Sequence, residues 1–392
     1  MKSIRSDSLA DGPYGPESDS CAIYLGVRKH GQSTFGTLKR SLGALVAMGH
    51  RTGFVNGEGD GAGVQTDIPR RLWARKLSQA NLRASLTSHP GFWVGHLFVP
   101  QSVNDSDLYD QVQFAFDQAG LNLIYQQPGR IRPEVLGAFA RQDPPAFWQI
   151  AGYAELPELD KRLLEAQTYL EANLPVHFLS LSPHVVVYKV RGSVETLSRY
   201  YPDLQDLNYD TAVVLCHARY STNTVSSFDR AQPFALLGHN GEINTITRFR
   251  LEANEMGVVL PQNGSDSQDV DRTLHSLCVN YDLDLMEAME LVFPPVPHDL
   301  EQFPPEQRAV YTRMRQSFGP YAQGPAGILA RFGDTIVASV DAVGLRPVWY
   351  VETEKEYIFS SERGAVPLEV MVSDPRALGP GEKMAIRLQR GS

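Results

Sequence analysis

Three segments of the chain concentrate small and polar residues of the kinds that functional sites need. The first joins Cys21 to the later His50-Arg51 and to Gly59-Asp60-Gly61-Ala62-Gly63. The second is His217-Ala218-Arg219-Tyr220-Ser221-Thr222-Asn223-Thr224. The third is Gly238-His239-Asn240-Gly241-Glu242-Ile243-Asn244, with Gly264-Ser265-Asp266-Ser267 shortly after. Taken singly, each has a plain structural reading. A lone Cys heading a strand usually serves as a small buried hydrophobe, and the Asn-Gly pair at 240–241 suits a type I′ turn. Glycine runs can cradle phosphates, but Gly59–Gly63 reads equally as a flexible loop. It lacks the Lys-Ser/Thr ending of a P-loop and does not fit GxGxxG, which excludes nucleotide binding there. With no HExxH and no CxxC, the histidines and cysteines argue against a zinc site.

The elements that must position these residues are legible in outline. Residues 1–20, MKSIRSDSLADGPYGPESDS, offer no core face and read as a disordered leader. CAIYLGV, from Cys21, reads as a buried strand, and Leu38, Leu42, Leu45 and Val46 recur at helical spacing. The glycine-rich stretch from Gly53 to Gly63 reads as a loop. Residues 92–99 read as a strand, and 107–119 and 160–173 as amphipathic helices. Two β-rich runs, 175–181 and 184–190, are separated only by Ser182 and Pro183, which predicts a hairpin. The strand from Thr211 to His217 takes 234–239 as its partner. Helical patterns occupy 244–255, 266–280, 284–292 and 305–317, with Pro294 to Pro305 as a surface loop. Short strands follow at 326–331, 335–340, 347–351, 356–360 and 383–389. Strands at both ends with helices between predict layered sheets covered by helices, an α+β arrangement. No linker interrupts residues 21–392, which predicts one large domain.

Composition narrows the setting. With 42% hydrophobic residues in 392, the chain has ample material for a core. Against 45 acidic residues stand 36 basic ones, a net charge of -9, so no global field draws it to nucleic acid or an anionic membrane. No apolar run approaches the roughly 20 residues of a membrane span. Lys2 and Arg5 are not followed by the apolar stretch of a secretory signal. Three cysteines, Cys21, Cys216 and Cys278, make no disulfide framework. A cytoplasmic protein is expected.

Together, the three segments are more specific than apart. CAIYLG at 21, GHRTGFVNGEGDGAG at 49–63, CHARYSTNT at 216–224, AQPFALLGHNGEINT at 231–245 and GSDS at 264–267 occur in this order. So do GPAGILARFGDTIVASVDAVGLRPVWY at 324–350 and SSERGAV at 360–366. The chain thus resembles the class II glutamine amidotransferases, most closely the glutaminase domain of the glutamate synthase large subunit. Two positions depart from the family pattern: Ala22 and Thr52 stand where Gly is usual.

The resemblance implies the fold of the N-terminal nucleophile hydrolases, a four-layer αββα sandwich with two antiparallel sheets between helical layers. It implies a propeptide, 1–20, removed on maturation, and a glutamine amidotransferase domain, 21–392. Cys21 would be the nucleophile and its freed α-amine the base, with a pKa of roughly 7.7–8.0 near working pH. Asn240 and the Gly241 N–H would hold the oxyanion. Arg219, Arg51 and Thr222 would bind the substrate carboxylate, and Asp266 its ammonium; Thr222 reads equally as a loop-capping hydroxyl. His217, His239, Cys216 and Cys278 are expected to be structural. The implied activity is hydrolysis of L-glutamine to L-glutamate and ammonia for a separate flavin-containing synthase subunit, in glutamate synthesis. No cofactor is expected in this chain; FMN and an iron–sulfur cluster would sit on the partner. Alternative expectations are another acceptor, such as a methylated glutamate, or a non-catalytic glutamine-binding scaffold.

Overall fold

The computed structural model describes residues 21–55, 57–155, 157–219, 226–316, 319 and 321–389. The leader, 1–20, and Thr222 lie outside the described residues.

Side chains alternate between the two faces of a strand. In β1 (Ala22–Arg28), Ile23, Leu25 and Val27 share one face, and Ala22 and Tyr24 take the other. This strand lies inside a seven-stranded antiparallel sheet. The order is β16 (Arg376–Ala377), β14 (Trp349–Glu352), β15 (Glu356–Ser360), β1, β10 (Val213–Ala218), β4 (Ala62–Asp67) and β9 (Val185–Val190). A second antiparallel sheet runs β11 (Leu237–Gly241), β12 (Ala326–Phe332), β13 (Thr335–Val340), β17 (Lys383–Arg387). The Ile23 face, with Leu215, packs on Leu329, Ile336 and Ala338 of this second sheet.

Helices cover the outer faces. α1 (Phe35–Ala47), α2 (Arg70–Gln79) and α5 (Val194–Tyr200) lay Leu38, Leu72 and Leu197 against the Tyr24 and Cys216 side of the first sheet. α6 (Ile246–Glu255), α7 (Asp266–Asn280) and α8 (Leu285–Val292) cover the second sheet through Phe249, Leu274 and Met289. α9 (Pro305–Gln316) buries none of its residues. The order helix, sheet, sheet, helix is the α+β sandwich expected. Among the described residues, no helix is long and apolar enough to cross a membrane.

A third antiparallel sheet was not foreseen. It runs β6 (Asn122–Pro128), β7 (Ala146–Tyr153), β5 (Phe92–Val99), β8 (His177–Ser182), and its outer face carries α3 (Asp105–Gln118) and α4 (Leu159–Asn173). Polar groups bolt it to the edge of the first sheet. Val187 N–H donates to Ser180 Oγ at 3.1 Å, and His96 Nδ1 lies 2.9 Å from Val187 O. Beneath them, Asp203 Oδ2 accepts from Lys76 Nζ at 2.7 Å, Tyr188 OH at 3.0 Å and Gln149 Nε2 at 3.1 Å. Burial pushes His96 down to about 4, so its ring stays neutral in this network.

Two expectations fail at this junction. The runs at 175–181 and 184–190 are not a hairpin: β8 pairs with β5 and β9 with β4. The Ser182-Pro183 connection lacks the Gly or Asn that a tight hairpin turn requires, so the chain passes from one sheet to another. Nor does 234–239 pair with the strand ending at His217. β11 pairs with β12, and β10 takes β1 and β4 as neighbours. The glycine run hid β4, because Ala62–Asp67 begins inside what reads as loop. A two-residue ribbon, β2 (Phe54–Val55) with β3 (Glu58–Gly59), occupies the rest of that stretch.

Candidate active site

Period two sets the direction of Cys21. Two residues before Ile23, it shares the face turned to the second sheet, and it is only 4% exposed. Ala22 pairs with Ala218, so Cys21 stands opposite Arg219 across β1 and β10. Cys216 lies on the other face, among the helices. That separates a candidate nucleophile from a packing thiol.

Asn240 and Gly241 end β11. The Cys21 backbone N–H donates to Asn240 Oδ1 at 3.4 Å. Asn240 Nδ2 is buried and has no hydrogen-bond partner among the described residues. Gly241 has φ 136°, and a Cβ there would sit 1.7 Å from Pro325 O, so this position admits only glycine. β11 is held from several sides. Gln232 Oε1 accepts from His239 N–H at 2.7 Å and its Nε2 donates to His239 O at 3.0 Å. His217 Nε2 lies 3.1 Å from the same carbonyl, and its Nδ1 is 3.2 Å from Arg219 O. Burial drives His217 down to about 3, so its ring is neutral and ties the ends of β10 and β11 together.

Asp266 opens α7, capped by the reciprocal Ser265–Gln268 pair. Its Oδ2 accepts from Ile243 N–H at 3.1 Å, two residues past Gly241. Its Oδ1 accepts from Ser267 N–H at 2.7 Å and Ser267 Oγ at 3.1 Å. His239 Nδ1 lies 2.9 Å from Ser267 Oγ, which links β11 to the start of α7.

The arginines are held differently. Arg219 Nε donates to Asp60 Oδ2 at 3.1 Å, and Asp60 is 2% exposed. Burial raises the Asp60 carboxyl, opposed by the Arg219 charge. A Cβ on Gly53 would fall 1.9 Å from Asp60 Oδ2, so the glycine lets this carboxylate sit under the arginine. Arg51 turns to Glu362 Oε1 at 3.0 Å and Ser361 O at 3.2 Å, beside the Ser361 hydroxyl that accepts Ile23 N–H at 3.2 Å. It stays near Cys21, but paired with a carboxylate. Thr52 has φ -79°, so the side chain at this usual glycine position costs no strain.

Cys21, Arg219, Asn240 and Gly241 therefore come together, Asp266 is anchored next to them, and Arg51 lies at the margin. Reading the sequence did not single out Asp60; its signal was a lone carboxylate inside a glycine run. Nor did it single out Arg346, whose positive charge acts on Cys21. Burial pushes the Cys21 thiol up to about 11; Arg219 pulls it down, Asp60 pushes it up, and Arg346 and Arg51 pull it down. Among the described residues, no three His, Cys, Asp or Glu side chains cluster closely enough to hold a metal ion. Cys21, Cys216 and Cys278 are dispersed and buried, which does not suit a four-thiolate cluster.

The sequence is 28% identical over 423 residues to the NADH glutamate synthase of Saccharomyces cerevisiae, covering 97% of this chain and 19% of that one. It is 29% identical to the large chain of the NADPH glutamate synthase of Bacillus subtilis, covering 97% and 27%. To ferredoxin-dependent glutamate synthase 2 of Synechocystis it is 30% identical, covering 95% and 26%. The chain thus spans about a quarter or less of the length of these relatives. The glutamine phosphoribosylpyrophosphate amidotransferase of B. subtilis overlays with a TM-score of 0.43 at 13% identity, over 93% of this chain and 47% of that one. The family model for class-II glutamine amidotransferases matches residues 21–392, every motif above included, and the chain belongs to that family.

Proposed function

We propose that this chain hydrolyses L-glutamine with Cys21 as the nucleophile and delivers the ammonia for glutamate synthesis. The observation that carries the reading is Asn240 Nδ2 beside Cys21, buried and without a hydrogen-bond partner among the described residues. A buried donor without an acceptor is costly, and an oxyanion formed at Cys21 is the acceptor it lacks.

Removal of residues 1–20 frees the Cys21 α-amine, which takes the thiol proton. The thiolate adds to the side-chain amide carbon of glutamine, and Asn240 Nδ2 and the Gly241 N–H receive the oxyanion. The tetrahedral intermediate collapses, the C–N bond breaks, and the ammonium form of the amine protonates the leaving ammonia. Water then cleaves the γ-glutamyl thioester and restores the thiol. Arg219 takes the substrate α-carboxylate and Asp266 the α-ammonium, with Arg51 and Thr222 supporting the carboxylate end. The acceptor chemistry, with FMN and an iron–sulfur cluster, belongs to a separate glutamate-synthase-type subunit in the cytoplasm. The matched segment is about a quarter or less of relatives named glutamate synthase, which supports a glutaminase step that feeds a synthase reaction.

The test is glutamate release from glutamine by a chain beginning at Cys21, beside Cys21→Ala, with and without a flavin-containing synthase subunit and 2-oxoglutarate. Turnover lost in Cys21→Ala and raised by the subunit is expected. Equal turnover in the variant would place the nucleophile elsewhere.

A further inference from the structure

β11 lies at the edge of the second sheet, so β12 pairs with only one of its sides. Arg331 N–H donates to Leu236 O at 2.8 Å, and Glu242 N–H donates to Pro325 O at 3.0 Å. Between these bonds the even-numbered residues turn their backbone groups to β12, and alternation directs those of Leu237, His239 and Gly241 to the other side. At Leu237, Asp271 Oδ1 accepts from the N–H at 2.9 Å and the carbonyl accepts from Phe234 N–H at 2.7 Å. At His239 one side chain engages both groups. Gln232 Oε1 accepts from the N–H at 2.7 Å, and Gln232 Nε2 donates to the carbonyl at 3.0 Å. A primary amide carries the same donor and acceptor as a peptide group, so Gln232 stands in for the neighbouring strand that β11 lacks here. The next N–H in the row is that of Gly241.

Gln232 is itself held firmly. It is 2% exposed, and a Cβ on Gly63 of β4 would fall 2.5 Å from its carbonyl oxygen, so the glycine makes room for it. Its own N–H donates to Arg219 O at 3.3 Å, which joins it to the end of β10 as well as to β11. His217 does not duplicate the grip. Its neutral ring has one N–H, while its two nitrogens face the carbonyl oxygens of Arg219 and His239. We propose that Gln232 is a positioning residue for the oxyanion donors: its amide fixes the tilt of β11 so that Asn240 Nδ2 and the Gly241 N–H meet the carbon that Cys21 attacks. This role rests on the glutaminase reading.

The network separates turnover from binding. Without the Gln232 amide the strand end that carries Asn240 and Gly241 is loosened, and displaced donors lose their hold on charge that develops in the transition state. The backbone bond from Gln232 to Arg219 O survives any change of side chain, and Arg219 keeps Asp60. Glutamine binding therefore persists while turnover falls.

The test compares Gln232→Met and Gln232→Glu with the parent, each chain beginning at Cys21. Gln232→Met keeps the length and removes both hydrogen bonds. Its kcat should fall by about tenfold or more with the glutamine KM within about threefold of the parent. Backbone hydrogen exchange over 237–241 should quicken by about tenfold or more, while β13 exchanges as in the parent. In Gln232→Glu burial raises the new carboxyl's pKa, and only its protonated form can donate to His239 O. Its kcat relative to the parent should therefore rise about fivefold or more from pH 8 to pH 5.5. That ratio cancels the titrations both chains share, those of His217, His239, Asp60 and the Cys21 amine, and it serves where Gln232→Met does not fold. Unchanged exchange over 237–241, faster exchange with kcat unchanged, or a ratio indifferent to pH overturns the proposal. A parent that turns over no glutamine would count against the glutaminase reading, with exchange still judging the grip on β11.

Discussion

The Cys21 backbone N–H donates to Asn240 Oδ1, and that bond decides which way the Asn240 amide points. With Oδ1 committed to the start of β1, Nδ2 is left on the other side, buried and with no hydrogen-bond partner among the described residues. The same bond ties the first sheet to the second at the point where the reacting atoms would meet. Cys21 and Asn240 are therefore positioned by each other.

Asn240→Ala tests that donor. The expected loss is about 2.7–4 kcal/mol of barrier, or roughly 10²–10³ in kcat, with a much smaller change in KM, because the donor acts on charge that develops in the transition state. Steady-state ammonia release is the measurement. A kcat within about twofold of the parent would show that the oxyanion is held elsewhere.

The leader should govern thiol reactivity. While residue 20 is attached, burial holds the Cys21 thiol up at about 11. Below that pH the thiolate is the minor form, and its share grows about tenfold per pH unit. Iodoacetamide labelling of the leader-bearing chain, followed by mass spectrometry, should therefore be slow at pH 7.5 and climb steeply toward pH 11. A chain beginning at Cys21 gains a neighbouring base and should label faster at pH 7.5. Burial pushes Cys216 and Cys278 up as well, so neither should compete. Equal rates with and without the leader would remove the amine from the mechanism.

Much of this was legible because periodicity and motif order are local. The strand at Cys21, the helix behind Leu38 and Leu42, and the helices at 246–255, 266–280 and 285–292 all follow from spacing and caps. What stayed hidden was non-local. The Asp60–Arg219 pair joins residues 159 apart, and β4 takes its place between β10 and β9, both far away in sequence. The third sheet was hidden for a related reason: β6 and β7 carry no site motif, and the pairing of β6 with β7 and of β7 with β5 is backed by packing around Trp93, Phe116 and Trp148. Arg51 illustrates the limit of family position, since its nearest carboxylate, Glu362, is supplied from the far end of the chain.

Asp60→Asn separates binding from chemistry. The substitution removes the charge that holds Arg219 Nε, so the glutamine KM should rise by about tenfold or more while kcat changes less. The Asp60 charge also pushes the Cys21 thiol up, so its removal should leave thiol labelling as fast or faster. A fall in kcat at constant KM, or slower labelling, would show that Asp60 does something other than position Arg219.

Gly241→Ala and Gly43→Ala make opposite predictions from the same change. At 241 the new Cβ would overlap Pro325 O, just before β12, at 1.7 Å, from a backbone at φ 136°. The β11–β12 pairing must open to admit it, which displaces the Gly241 N–H and the Asn240 amide together. A lower Tm and loss of glutaminase activity are expected. At 43, an exposed position in α1, an added Cβ meets nothing within 4 Å. There alanine removes glycine's excess freedom in the unfolded chain and should stabilise by about 0.5–1 kcal/mol, with activity unchanged. Thermal melts and ammonia release on both variants decide the matter. A stable, active Gly241→Ala would mean that the end of β11 is not held as tightly as an oxyanion site requires.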